Sequence, residues 1–489
     1  MTIADASPAF ETIEPTLEDE YFSRIAGALI GSAAADALGW ITEFVRGPEH
    51  MRKIYRSDRV TEYRSWQKAT GGRFNTYIDY ISAGQYSDDT QLTLAVARSL
   101  QSDGSVDVHH LAKVEFPLWL DYARGAGSTI TGAARALQRR SANWNSNFFT
   151  YKHRGATQDY RDAGANGAAM RVAPVALANV NDQERMVMAV WQSAICTHGH
   201  PRAILGALLL AEAIRSCTLE GLAFQKNLVT HLVDFVTSSE MPNDEGLDKW
   251  RERWNEGGRS FEYEWEQTKV EVLGGLEKLS GVRDASDALR MMEGLGCFRP
   301  EAKGSGTATV LAGLAIFVGA GDSFRDAVLE AVNALGSDTD TIGGFVGSLC
   351  GAAHGYDKVP VEWASTMQDY DYFMRVATEL ARVTCRTGVG GQALRPSNGS
   401  MPKYPDLIEK LRTHEVVQNE RIFHPLFGSG LVASVDAQHL RRKDGASVVF
   451  AWVVFDIGQS CKFRYMTIPS SGRSAIPRAP LHNDPPRLF

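Results

Sequence analysis

The chain has 489 residues, more than a single hydrophobic core usually organises, so one large domain with a smaller companion is expected. Its 44% hydrophobic and 22% charged residues are ordinary for a soluble protein, and a net charge of −7 argues against a general nucleic-acid binder, which needs surplus Lys and Arg to displace counterions. The six cysteines (Cys196, Cys217, Cys297, Cys350, Cys385 and Cys461) form no CxxC pair, which fits free thiols in a reducing compartment rather than a disulfide framework or a zinc site.

The N-terminal stretch MTIADASPAFETIEPTLEDEY is acidic and its first basic residue is Arg24, the opposite of a secretory signal. Residues 1–17 are read as a disordered lead. The run from Ile25 to Ile41 is short for a membrane span and contains Asp36, so it reads as a buried helix in a cytoplasmic protein with no membrane association. Residues 18–384 have a helical texture throughout, as in AILGALLLAEAI (Ala203 to Ile214) and TVLAGLAIFVGA (Thr309 to Ala320). Residues 220–299 carry no motif and are read as helical packing with one long charged connection near Asp244 to Gly258.

Two predicted helices carry a small residue at every fourth position: Gly27, Gly31, Ala35 and Gly39 in one, Gly343, Gly347, Gly351 and Gly355 in the other. That spacing lines one helix face. A helical glycine costs about 1 kcal/mol against alanine, so the stripes predict a tight helix crossing, and each lies beside an acidic motif. Residues 385–419 are Gly-, Pro- and Ser-rich linker with a short helix around Leu407 to Thr413. Residues 420–475 turn β-branched and aromatic, with turns at Phe427 to Gly430 and Asp456 to Gly458, and predict a small SH3- or Tudor-like β-barrel. Such a barrel could take a protein or nucleic-acid partner or contribute to a subunit contact, and it is expected to be dispensable for chemistry. Residues 476–489 are read as a disordered tail.

Two motifs carry chemistry. Ser87-Asp88-Asp89-Thr90 begins a predicted helix, where Ser and Asp also serve as caps, but two adjacent carboxylates repel unless a cation lies between them. Gly336-Ser337-Asp338-Thr339-Asp340-Thr341 begins the second glycine-striped helix in the same way. Carboxylate and hydroxyl oxygens without cysteine suit hard ions: magnesium, manganese or calcium. Together the motifs offer what a two-metal centre requires, with ions roughly 3.5–4 Å apart.

The order GALIGSAAADALGWITEF, YSDDT, NGAAMRVAPVAL, CTHGHPRA and ALGSDTDTIGGFVGSLCGAAHG, spanning about residues 23 to 357, resembles the ADP-ribosylglycohydrolase family. The resemblance implies a mainly α, all-helical catalytic domain holding two Mg²⁺ or Mn²⁺ ions, with the small β-barrel appended. It places metal ligands at Ser87, Asp88, Asp89, Asp338, Asp340 and Thr341, with Asp340 touching both ions, and catalytic carboxylates at Glu43, Asp89 and Asp340. It places ADP-ribose contacts at Asn166, Gly167, His198, Gly336 and Ser337, with Met170 and Arg171 holding the Asn166 loop. The chain departs from some members at Ala163, Gly164 and Ala165, where a hydroxyl- or aromatic-bearing stretch binds phosphates.

The implied reaction is hydrolysis of an N- or O-glycosidic ADP-ribose linkage on a modified acceptor, expected to be a protein. Two rival readings are an immunity or ADP-ribose-binding protein that neutralises an ADP-ribosylating toxin, with catalysis secondary, and a two-metal phosphoesterase. Neither a GxxxxGKS phosphate loop nor a GxSxG nucleophile elbow is present.

Overall fold

The computed structural model describes residues 17–71, 75–396, 404–442 and 445–467. The two ends predicted to be disordered lie outside these residues, except that Leu17 already belongs to a helix. The helix Leu17–Gly39 runs through the middle of the protein, and from Ile25 to Trp40 only Ser32 escapes full burial. A helix that is apolar on all sides has no face to give to water, so the other helices wrap it.

The glycine stripes meet. A Cβ added at Gly27 would lie 2.6 Å from the carbonyl oxygen of Gly351, and one at Gly31 would lie 2.5 Å from that of Gly347. The first helix therefore rests backbone to backbone on helix Thr339–His354, as the four-residue spacing predicts. The crossing is locked at the end nearest the acidic motifs. Thr339 Oγ1 donates to the Gly39 carbonyl at 2.9 Å, and the Thr42 and Thr339 hydroxyls lie 3.0 Å apart.

Two antiparallel hairpins interrupt the helical body, Trp66–Thr70 with Tyr77–Ile81 and Thr150–His153 with Ala156–Asp159. Strands of four or five residues are too short for alternation to stand out from helical surroundings. The charged connection expected near Asp244 is instead helix Glu245–Trp254. Asp244 caps it by accepting the Leu247 N–H at 3.0 Å, and Leu247, Trp250 and Trp254 bury one face beneath the charges. All six cysteines are free. Among the described residues no helix is long and apolar enough to cross a membrane.

Beyond Thr384 the chain turns back onto the helical body. Gly391 donates to the Leu100 carbonyl at 2.7 Å, Arg395 Nε to that of Arg98 at 2.7 Å, and the predicted helix Leu407–Thr413 follows. Strands Arg421–His424, Gly428–His439, Ser447–Phe455 and Ser460–Thr467 then pair antiparallel in chain order. Among the described residues the first and last strands do not pair, so this unit is an open four-stranded sheet rather than a closed barrel. One face of the sheet packs on the helical body. Tyr122 stands edge-on to Phe427 at 5.0 Å, and Gln459 accepts a 2.6 Å bond from Arg98, itself in a fully buried pair with Glu115.

Candidate active site

The two acidic motifs start two helices whose N-termini converge beside the end of the first helix. Ser87 caps helix Asp88–Ser99, its hydroxyl accepting the Asp89 N–H at 3.2 Å. Two more backbone donors at this helix start go to Asp36, reaching over from the first helix. Its carboxylate accepts the backbone N–H groups of Ser87 and Thr90 at 3.2 Å and the Thr90 hydroxyl at 2.5 Å. Capping is thus accomplished by Ser87 and Asp36, which leaves the carboxylates of Asp88 and Asp89 for other work.

In the second motif Asp340 accepts the Thr341 N–H at 3.0 Å. Asp338 stands at the N-cap of helix Thr339–His354, yet its side chain makes no cap bond. It accepts instead from the Asn166 amide at 2.7 Å. Thr341 Oγ1 donates to Asp89 Oδ2 at 2.7 Å, joining motifs 252 residues apart in sequence. Glu43, in the turn after the first helix, completes a group: ligand oxygens of Glu43, Asp338 and Asp340 all lie within 4.8 Å of one another. Asp88 lies on the other flank, its Oδ1 against Gly125; a Cβ there would come within 2.8 Å, and the φ of +81° also favours glycine.

Burial dominates the electrostatics. Asp36, Glu43, Asp88, Asp89, Asp338 and Asp340 are all pushed above the ordinary carboxylate range, with desolvation the leading cause in each. Asp36 reaches about 6 and Glu43 about 7. Neighbouring carboxylates push Asp88, Asp89 and Asp340 further up. The ammonium groups that oppose this at Glu43 are Lys68 and Lys303. Lys303 Nζ also donates to the Glu43 carbonyl at 2.9 Å, and Lys68 Nζ sits 3.9 Å from the centre of the Phe44 ring.

The predicted substrate loop lies alongside. Asn166 N–H donates to the Gly304 carbonyl at 2.9 Å, and Gly306 N–H to that of Gly164 at 2.9 Å, so the Asn166 segment is pinned to the Lys303 loop. Arg171 is buried, bonding the Gly167 carbonyl and, at 2.9 Å, that of Ser193. His198 is buried behind the loop. A Cβ on Gly167 would lie 2.6 Å from its ring, and its Nδ1 is 2.8 Å from the Thr197 hydroxyl. Burial takes the imidazole down to about 3, so it is neutral at physiological pH. Ser337 is buried with its hydroxyl bonded to the Ala334 carbonyl at 2.8 Å, while Gly336 turns the chain with a φ of +94°.

Sequence reasoning missed Asp36, Lys68 and Lys303. Asp36 did leave a signal: a lone carboxylate in an otherwise apolar helical run must find buried donors. The two lysines left none, since each lies on a hairpin or loop with no periodic pattern.

A family model described as ADP-ribosylglycohydrolase matches residues 17–389. The chain belongs to the ADP-ribosylglycohydrolase family. It is 27% identical over 365 residues to the ADP-ribosyl-dinitrogen reductase glycohydrolase of Rhodospirillum rubrum, covering 73% of this chain and 93% of the relative. It is 25% identical to human ADP-ribosylhydrolase ARH3 (74% and 93% covered), and 22% identical to ADP-ribosylarginine hydrolase Tri1 of Serratia proteamaculans (77% and 84% covered). The match to the family model ends before the C-terminal sheet begins.

Proposed function

We propose that this chain is a hydrolase cleaving the glycosidic bond between ADP-ribose and a modified acceptor, with two divalent cations, magnesium or manganese, held by Ser87, Asp88, Asp89, Asp338, Asp340 and Thr341. The observation that carries this reading is the junction of two helix N-termini, where Thr341 bonds Asp89 while Glu43, Asp338 and Asp340 converge within 4.8 Å. The donors fit the ions. Six carboxylates, four of them buried and Glu43 and Asp338 half-buried, share two ammonium groups, Lys68 and Lys303; with all six ionised they would leave about four negative charges for two divalent cations to cancel. All the converging donors are oxygens, as hard ions require.

When bound, such cations would supply Lewis acidity at the distal ribose and to an attacking water. The chain's own residues would do the rest. Asn166 fixes Asp338 through its amide, and Thr341 fixes Asp89, so neither carboxylate has to be ordered at the moment of reaction. Glu43, Asp89 and Asp340 are the candidate acceptors for the water's proton. Departure of the acceptor gives the reacting carbon oxocarbenium character, which surrounding carboxylates favour. Asn166, Gly167, Gly336 and Ser337 belong to adjacent loops that would meet the ADP-ribose, while His198 acts from behind Gly167 by fixing the loop's position.

The names of the relatives point to ADP-ribosylarginine and ADP-ribosylated protein as first substrates to try. Arginine-, serine- and nucleic-acid-linked ADP-ribose should be offered in parallel and the products identified. Free ADP-ribose supports the proposal. Inorganic phosphate would mean a phosphoesterase, and tight binding without turnover would mean an ADP-ribose-binding or immunity protein. The same reading places the protein in the cytoplasm, where free thiols persist.

A further inference from the structure

The C-terminal sheet lies outside the family match, yet it is bonded to the hairpin and the turn that flank the carboxylate cluster. The connection runs through hairpin Trp66–Thr70/Tyr77–Ile81, in which Lys68 is paired in register with Asp79. Asp79 is buried and gripped from the sheet by Lys462 Nζ at 2.6 Å, and the same ammonium donates to the Tyr80 carbonyl at 3.0 Å. Gln438, also from the sheet, pairs with Ile78 as a strand would, accepting its N–H at 2.9 Å and donating to its carbonyl at 2.7 Å. Tyr77 closes a small separate core with Leu440, Ala446, Val448 and Phe450.

A second connection starts at Arg464, which donates to the Ala123 carbonyl at 2.6 Å. Ala123 leads into the turn whose Gly125 abuts Asp88, and Arg124 stands 3.7 Å from Asp79 and over the Trp40 ring at 5.1 Å. The hairpin and this turn are thus tied to one another as well as to the sheet. What they present to the site is the Lys68 ammonium over Phe44, and the backbone against which Asp88 rests.

We infer that the C-terminal sheet is a positioning element of the active site: through Lys462, Gln438 and Arg464 it holds Lys68 and the Asp88-contacting turn against the carboxylate cluster. The inference rests on the proposed function of that cluster, and it replaces the expectation that the C-terminal unit is dispensable for chemistry. Lys462 acts through Lys68, whose charge balances Glu43 and Asp88.

The test is a double-mutant cycle on the full-length protein with Lys462→Met, Lys462→Arg, Lys68→Met and the double methionine variant. Turnover of ADP-ribosylated substrate and amide hydrogen exchange are both recorded. Lys462→Met and Lys68→Met should each lower kcat/KM by about tenfold or more. The double variant should be no worse than Lys68→Met, because one residue works through the other. Lys462→Arg should restore activity. In Lys462→Met, exchange should quicken in the hairpin and also at Trp40 to Phe44 and Ala123 to Gly127, and Lys462→Arg should reverse this. Losses that multiply in the double variant, or unchanged exchange at both site segments, overturn the inference. If the wild-type chain releases no ADP-ribose, the proposed function falls, and hydrogen exchange alone decides whether the sheet positions the site.

Discussion

Gly31→Ala perturbs the crossing on which the site is built. The new methyl would sit 2.5 Å from the Gly347 carbonyl oxygen and 2.9 Å from the Phe324 ring, and the first obstacle is backbone that cannot rotate away. Restoring an ordinary contact of about 3.5 Å requires the two helices to part by about 1 Å. Overpacking of this kind costs about 2–3 kcal/mol, and alanine's better helix propensity offsets about 1, for a net loss of about 1–2 kcal/mol. The functional loss should be larger. Helix Thr339–His354 carries Asp340 and Thr341, and a shift of about 1 Å at reacting groups can cost ~10²-fold. The assay is thermal unfolding and turnover, measured beside Gly274→Ala. Gly274 lies within helix Phe261–Leu279 with nothing within 4 Å of an added Cβ, so the same change there should stabilise by up to about 1 kcal/mol and leave turnover alone. A Gly31→Ala protein as stable and active as wild type would refute the claim that this crossing sets the geometry of the site.

Asp340→Asn should lower kcat by at least ~10²-fold, whereas Ser348→Ala on the same helix, whose hydroxyl only bonds the Phe345 carbonyl, should stay within a few-fold. Arg98→Met leaves Glu115 buried without its bidentate partner and deprives Gln459 of a donor, so urea unfolding should register a loss of about 3–5 kcal/mol. The metal-free protein should lose stability as pH rises from about 4 to about 7. Asp36 and Glu43 hold protons more tightly when folded, so their contribution is complete below the unfolded carboxylate range and is lost as pH passes the folded values of about 6 for Asp36 and about 7 for Glu43. Manganese, which needs the deprotonated ligands, should therefore raise Tm more at pH 8 than at pH 5.5, as calorimetry at the two pH values would show.

Features with a period or a composition were legible in the sequence. The glycine stripes predicted the helix crossing because spacing of four has one geometric meaning, and the two Asp-rich motifs announced helix starts because hydroxyls and carboxylates satisfy orphan N–H groups there. Long-range pairing was not legible. Nothing local says that Asp36 would take over the capping of helix Asp88–Ser99, or that Asn166 would claim Asp338, since each depends on a partner tens to hundreds of residues away. The C-terminal sheet illustrates both sides. Its strands were plain from β-branched and aromatic composition between glycine turns, but its attachment to the hairpin runs through Lys462, Gln438 and Arg464, side chains that in sequence look like an ordinary solvated face.

The central claim is that buried carboxylates from two distant motifs form one metal-dependent centre that releases ADP-ribose. Its most direct measurement is the release of free ADP-ribose from an ADP-ribosylated substrate by protein treated with EDTA and then titrated with magnesium or manganese. The account predicts no release from the chelated protein and recovery on addition of either ion, with Asp340→Asn failing to recover. Undiminished release by metal-free protein would contradict it.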